Sequence, residues 1–104
     1  MKAQKVDNTG EIIGPPMAPY QVLICGWVLN NTSGSAVIVD FYTVDGTTDG
    51  RAPAAPSASG DKIFSITVPA NSSKEFLAEQ GIYLTNGCFV KTGASGCVGS
   101  VFYR

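Results

Sequence analysis

Histidine is absent from this 104-residue chain. That removes the commonest general base, the usual zinc ligand, and the histidine-activated serine and cysteine nucleophiles. Charge is scarce as well: seven Lys+Arg stand against eight Asp+Glu, only 14% of residues, for a net charge of −1. So balanced a chain has no overall basic field for neutralising phosphates, and nucleic acid is not an expected partner. No window approaches the roughly 20 apolar residues needed to cross a bilayer as a helix. The longest apolar stretches, Gln21–Leu29 and Ala36–Val44, are already broken by polar residues or Gly, so the chain is expected to be soluble, with no membrane partner. The two Lys within Met1–Gly10 are followed by no apolar run, and synthesis in a cytoplasm is the expectation. Three cysteines are an odd number that cannot all pair within one chain. If Gly93-Ala94-Ser95-Gly96 is a hairpin loop, Cys88 faces Val101 rather than Cys97, and free thiols follow, with Cys25 a small buried hydrophobe.

What is present in quantity is turn chemistry and alternation. Twelve Gly and six Pro accompany 44% hydrophobic residues, a composition for a folded, turn-rich domain and not for a charge-driven disordered tail. Apolar residues recur with period two in short runs, and no sustained helical periodicity appears. Tyr20–Asn30 reads as a strand with Val22, Ile24 and Val28 on one side, Leu23, Cys25, Trp27 and Leu29 on the other, and Gly26 as a bulge. Ala36–Val44 follows as its hairpin partner, with Val37, Val39 and Phe41 alternating against Ile38, Asp40 and Tyr42. Lys62–Val68 points Phe64, Ile66 and Val68 inward, and Pro69 ends it. Strands are then expected at Lys74–Ala78, Gly81–Leu84, Gly87–Thr92 and Cys97–Tyr103. About seven or eight antiparallel strands, some apolar on both sides, are best buried as two packed sheets. The fold class is therefore all-β, a single antiparallel β-sandwich of jelly-roll or immunoglobulin-like topology. The two cysteines bracketing a core Trp that mark immunoglobulin domains are missing.

Two segments stand apart. Residues 1–19 are polar at first, then carry the pair Ile12-Ile13 and the extended Gly14-Pro15-Pro16-Met17-Ala18-Pro19 run. They are expected to form an N-terminal arm ahead of a sandwich domain at 20–104, removable without unfolding it. Glu11–Ile13 either docks as an edge strand on the chain's own sheet or reaches a neighbouring subunit. Asp45–Asp61, rich in Gly, Pro, Ala, Ser and Thr, is either a solvated crossover or a contact surface built on Arg51, Pro53 and Pro56.

No reactive constellation emerges. The carboxylates lie in turns (Asp45, Asp49, Asp61) or at exposed strand positions (Asp40, Glu75), and no spacing singles out an acid–base couple. Asp45–Gly50 lacks the alternating ligands and terminal Glu of a calcium loop, and Gly93–Gly96 lacks the lysine and helix of a phosphate loop. No metal site, cofactor or catalytic residue is expected, and the chain reads as a non-enzyme. Asn30, Asn31 and Asn71 each begin a glycosylation-type triplet. Trp27, Tyr42, Tyr83 and Tyr103 could stack on sugars, but within apolar strands they read as core or interface groups.

The runs Lys62-Ile63-Phe64-Ser65-Ile66-Thr67-Val68-Pro69-Ala70-Asn71-Ser72-Ser73 and Gly81-Ile82-Tyr83-Leu84-Thr85-Asn86-Gly87-Cys88-Phe89-Val90-Lys91-Thr92, closed by Gly99-Ser100-Val101-Phe102-Tyr103-Arg104, carry a resemblance. With the Asn30–Gly34 turn they resemble small β-sandwich structural proteins of tailed-bacteriophage virions, and the N-terminal arm matches no motif of that family. The resemblance implies a capsid decoration or cement protein, assembled in the host cytoplasm and residing on the virion. It would bind the major capsid protein and form a homo-oligomer such as a trimer. Ile12, Ile13, Pro15, Pro16 and Met17 of the arm and Arg51, Pro53 and Pro56 of the loop are the candidate capsid or subunit contacts. A carbohydrate- or receptor-binding module, or a tail, neck or fibre component, is the alternative.

Overall fold

The computed structural model describes residues 1–15, 17, 19–43, 56–58 and 61–104, without the side chain of Glu79. These residues form eight strands: β1 (Lys2–Val6), β2 (Glu11–Ile13), β3 (Val22–Asn31), β4 (Val37–Thr43), β5 (Asp61–Val68), β6 (Ser72–Leu84), β7 (Cys88–Thr92) and β8 (Cys97–Tyr103). One sheet has the order β1-β8-β3-β6 and the other β2-β7-β4-β5, every pair antiparallel. The pairings β1 with β8, β2 with β7, β3 with β6 and β4 with β5 are nested, as in a long ribbon folded at β4–β5 and rolled up. Successive pairs fall alternately into the two sheets, which makes this β-sandwich a jelly roll and decides between the two topologies the sequence left open.

Rolling corrects the neighbours expected from chain order. The turn at 32–36 carries the chain from one sheet to the other, so β3 and β4 are not a hairpin: β3 lies between β8 and β6, β4 between β7 and β5. The same holds for β7 and β8 across 93–96. A strand apolar on its inner side buries as well against the opposite sheet as against a sequential partner, so alternation alone cannot separate hairpin from crossover. The expected strands at 74–78 and 81–84 are one strand with two registers on β3, broken where Gly26 pairs with Leu77 but Ile24 pairs with Ile82. Gly81 takes φ +76° in that break, a conformation glycine adopts without penalty.

The arm, too, is built into the sandwich. β1 adds to β8, β2 adds to β7, and Val6 and Ile13 are fully buried in the core. The edge-strand alternative for Glu11–Ile13 is the one observed, and a division into arm and domain at residue 19 does not describe these strands. Deleting 1–19 would strip one strand from each sheet. Accordingly, removal of residues 1–19 is expected to lower the melting temperature sharply or abolish folding, measured by circular dichroism.

The core lies between the sheets. Val22, Ile24, Leu29 and Val101 of one sheet face Val39, Phe41, Val68 and Val90 of the other, all essentially inaccessible to water. In β4 the expected alternation holds, and in β5 Phe64, Ile66 and Val68 turn inward. In β3 the register shift between Ile24 and Gly26 reverses the pleat. Trp27 and Leu29 thereby join Val22 and Ile24 on the inner side, while Val28 turns out. Trp27 stacks on Phe76 at 4.7 Å and meets Phe41 at 5.3 Å and Phe64 at 5.7 Å, joining the sheets at the β5–β6 side.

Candidate functional site

The sequence-derived contact residues do not converge. Ile13 is core and Ile12 is half-buried on β2 opposite Phe89. Pro15 lines a cleft with Lys2, Gly14, Gln21, Tyr103 and Arg104. Met17 is 74% exposed, whereas Pro56 is buried. Pro16, Arg51 and Pro53 lie outside the described residues. Ile13 and Pro56 are therefore excluded as surface contacts by burial.

The structure displays another surface, the outer face of the β1-β8-β3-β6 sheet. Because directly paired residues in an antiparallel sheet share a face, the registers define rows across it. One row runs Lys5, Ser100, Val28, Glu75 from the β1 edge to the β6 edge. The next runs Ala3, Phe102, Gly26, Leu77. Leu77 is 74% and Met1 70% exposed, and both are apolar. Between them opens a depression of about 440 Å³ lined by Met1, Trp27, Val28, Glu75, Phe76, Leu77 and Phe102. A second hollow of about 260 Å³, sharing Met1 and Leu77, extends it toward Leu23 and Cys25.

Gly26 lies beside this depression. A Cβ there would collide with the Phe76 carbonyl oxygen and approach Leu77 Cα and the Leu77 side chain to 3.2 Å, so the glycine permits the close β3–β6 approach and is itself buried beside Leu77. Sequence reading had Gly26 as a bulge but kept Val28 on the same side as Val22 and Ile24, and so missed the face. The signal was available: one bulge residue shifts every later side chain in the strand to the opposite side.

The other outer face is polar at its centre. Asp40 accepts a hydrogen bond from Ser65 Oγ at 2.6 Å and a longer one from Tyr42 at 3.4 Å, and pairs with Lys62 at 3.4 Å. Its carboxylate is thus held as a latch between β4 and β5. The Trp27 ring is engaged by three other rings, which leaves it poorly placed as a platform for sugars. Among the described residues no group of three metal-ligating side chains comes together. Asn31, first in one glycosylation-type triplet, is buried and fully engaged in hydrogen bonds, so its nitrogen has a structural task.

All three cysteines are free and buried. Cys88 starts β7 and Cys97 follows the turn beyond its far end, so strand placement separates them, not the hairpin register expected from sequence. Burial pushes the Cys88 thiol up to about 12 from 9.0 and raises that of Cys97. A thiol raised in the folded state stays protonated while the unfolded chain ionises, so it stabilises the fold fully below pH about 9 and loses that contribution as pH rises toward 12. Urea unfolding is therefore expected to show stability declining above pH about 9, with a shallower decline in Cys88→Ala. Thiol titration should give negligible native labelling near pH 8 and three equivalents after denaturation.

No family model matches the chain, and no curated protein matches it. Among solved structures, a chain from the disulfide-linked pili that form Bacillus endospore appendages is similar, with a TM-score of 0.46 and 17% identity, over 96% of this chain and 75% of that one.

Proposed function

We propose that this chain is a non-enzymatic structural protein of a larger particle, and specifically a decoration protein on the head of a tailed bacteriophage. One observation carries the structural role: a two-sheet block turns an indented sheet face with exposed Val28 and Leu77 to solvent, while Asp40 latches two strands and the three thiols are buried. Exposed apolar surface of that kind on a small domain marks contact with another macromolecule. The virion assignment is supported by the resemblance of the 62–73, 81–92 and 99–104 segments to phage structural proteins. It is also in keeping with the jelly roll's use in viral coats, an argument by fold analogy. The major capsid protein is the proposed partner, and the chain would act by bridging capsid subunits through several modest contacts at once.

Gold-labelled antibody against the folded chain, applied to intact phage particles from cells encoding it, tests this reading. Regular labelling of the head is expected. Label confined to the tail, or none on purified particles, would reject the decoration role. Release of the labelled chain together with loss of head stability on mild heating would further support cementing.

A further inference from the structure

The outer face of the β1-β8-β3-β6 sheet has a property that neither its exposure nor its shape alone conveys: its two central rows pair charge with opposite charge and small with large when read in reverse order. Along one row a cation, Lys5, sits at the β1 edge and an anion, Glu75, at the β6 edge, with Ser100 and Val28 between. Along the next, a small residue, Ala3, sits at the β1 edge and a large one, Leu77, at the β6 edge. Between these lie Phe102 on β8 and the bare Gly26 on β3.

Consider a two-fold axis lying in the contact plane, midway between β8 and β3 and inclined about 15° to the strands, so that the two sheets cross at about 30°. It brings β1 of one copy over β6 of the other and β8 over β3. Lys5 then meets Glu75, Ala3 meets Leu77, Phe102 comes over Gly26 beside the depression, and Ser100 meets Val28, each contact made twice. A like-charge or large-on-large clash arises in neither row. We propose that this face is an isologous interface between two copies of the chain.

The geometry of sheet packing suits it. Facing sheets lie about 10 Å apart and cross at about 30°, so rows coincide near the axis and diverge at the edges. Short contacts, Phe102 over Gly26 and Ser100 on Val28, fall near the axis. The long side chains of Lys5, Glu75 and Leu77 fall at the edges, where reach is needed. Four strands about 4.8 Å apart, of five to thirteen residues, give a projected patch on the order of 500 Å², toward the small end of specific interfaces. Micromolar association fits that size. Isologous contact closes at two copies, so this face builds dimers, and a trimer would need a separate surface. The inference does not rest on the virion assignment, because the pair forms in solution without a capsid.

Sedimentation equilibrium of the purified full chain, from about 1 µM to about 500 µM, reads the dissociation constant directly. The wild type is expected to dimerise. Lys5→Glu and Glu75→Lys each create two like-charge contacts per dimer and should weaken it about tenfold. Combining them swaps the signs and should restore affinity to within about threefold of wild type. Leu77→Asp should weaken it by about a hundredfold or more. Lys5, Glu75 and Leu77 are all exposed, so each variant is expected to keep the wild-type circular dichroism spectrum. A monomer throughout that range overturns the proposal. So does a dimer indifferent to the single reversals, or one that the double reversal fails to restore.

Discussion

Phe41→Ala is expected to lower the unfolding free energy by about 3–5 kcal/mol, the range for truncating a buried aromatic ring. Phe41 is wholly inaccessible, stacks on Phe64 at 4.4 Å with the planes 18° apart, and meets Trp27 at 5.3 Å. It stands on β4, a central strand, so its ring touches the neighbouring strand of its own sheet and the Trp of the opposite one. The lost area is one term. The other is the cavity, which closes poorly because each wall is a strand pinned by its own ladder. A domain of this size shifts its melting temperature by about 4–8 °C per kcal/mol, so a fall of roughly 12–40 °C should be seen by circular dichroism. Should Phe41→Ala fail to fold, Phe41→Leu keeps most of the volume and should fall short of wild type by about 1.5 kcal/mol or less. A loss below about 1 kcal/mol in the alanine variant would show that the aromatic cluster does not tie the sheets together.

That cluster shows how far the chain could be read before folding. The inward positions of β4 and β5 were legible because period two runs unbroken over Val37–Phe41 and Phe64–Val68, short of the register shift between Phe41 and Tyr42, and sheet membership does not alter which side is apolar. The all-β sandwich followed from the same pattern. Its wiring did not. Asn31–Ser35 and Gly93–Gly96 have the composition of hairpin turns, yet both carry the chain between sheets, a difference set by where the long-range partners β6 and β8 lie. Ile13 was legible as a sticky residue, but its destination, core or neighbour, depends on β7 offering it a place opposite Cys88. The self-complementary face was hidden for a related reason. Lys5, Ser100, Val28 and Glu75 stand on four strands scattered from one end of the sequence to the other, and only the registers set them in a row.

Asn31 illustrates the opposite case, a residue whose polar turn-forming chemistry pointed to a surface loop and whose place is the interior. At 1% exposure its amide nitrogen lies 2.8 Å from the Ser35 carbonyl, 3.1 Å from that of Val68 and 3.2 Å from that of Pro69. Its oxygen accepts from the Ser33 amide at 3.0 Å and the Ser33 hydroxyl at 2.7 Å. Two hydrogens serve three carbonyls, so at least one bond is shared, and no other neutral side chain of this shape supplies donors and an acceptor in these directions. The side chain thereby fixes the β3–β4 crossover to the end of β5, across the gap between the two sheets.

Asn31→Ala leaves carbonyls from two separate segments without their donor and is expected to cost about 2–4 kcal/mol, read as a lower urea midpoint at unchanged slope. Asn31→Asp is nearly isosteric and separates hydrogen bonding from packing. A carboxylate facing three carbonyl oxygens is repelled and poorly solvated, so its proton is held more tightly in the folded state than in the unfolded one. The sign follows: the unfolded chain ionises first as pH rises, and the variant loses stability between the unfolded and folded pKa values and regains it on acidification. The wild type carries no such group at this position. A stability difference between Asn31→Asp and wild type that narrows as pH falls toward about 4 would establish Asn31 as a donor to the crossover. A difference independent of pH would assign its contribution to packing alone.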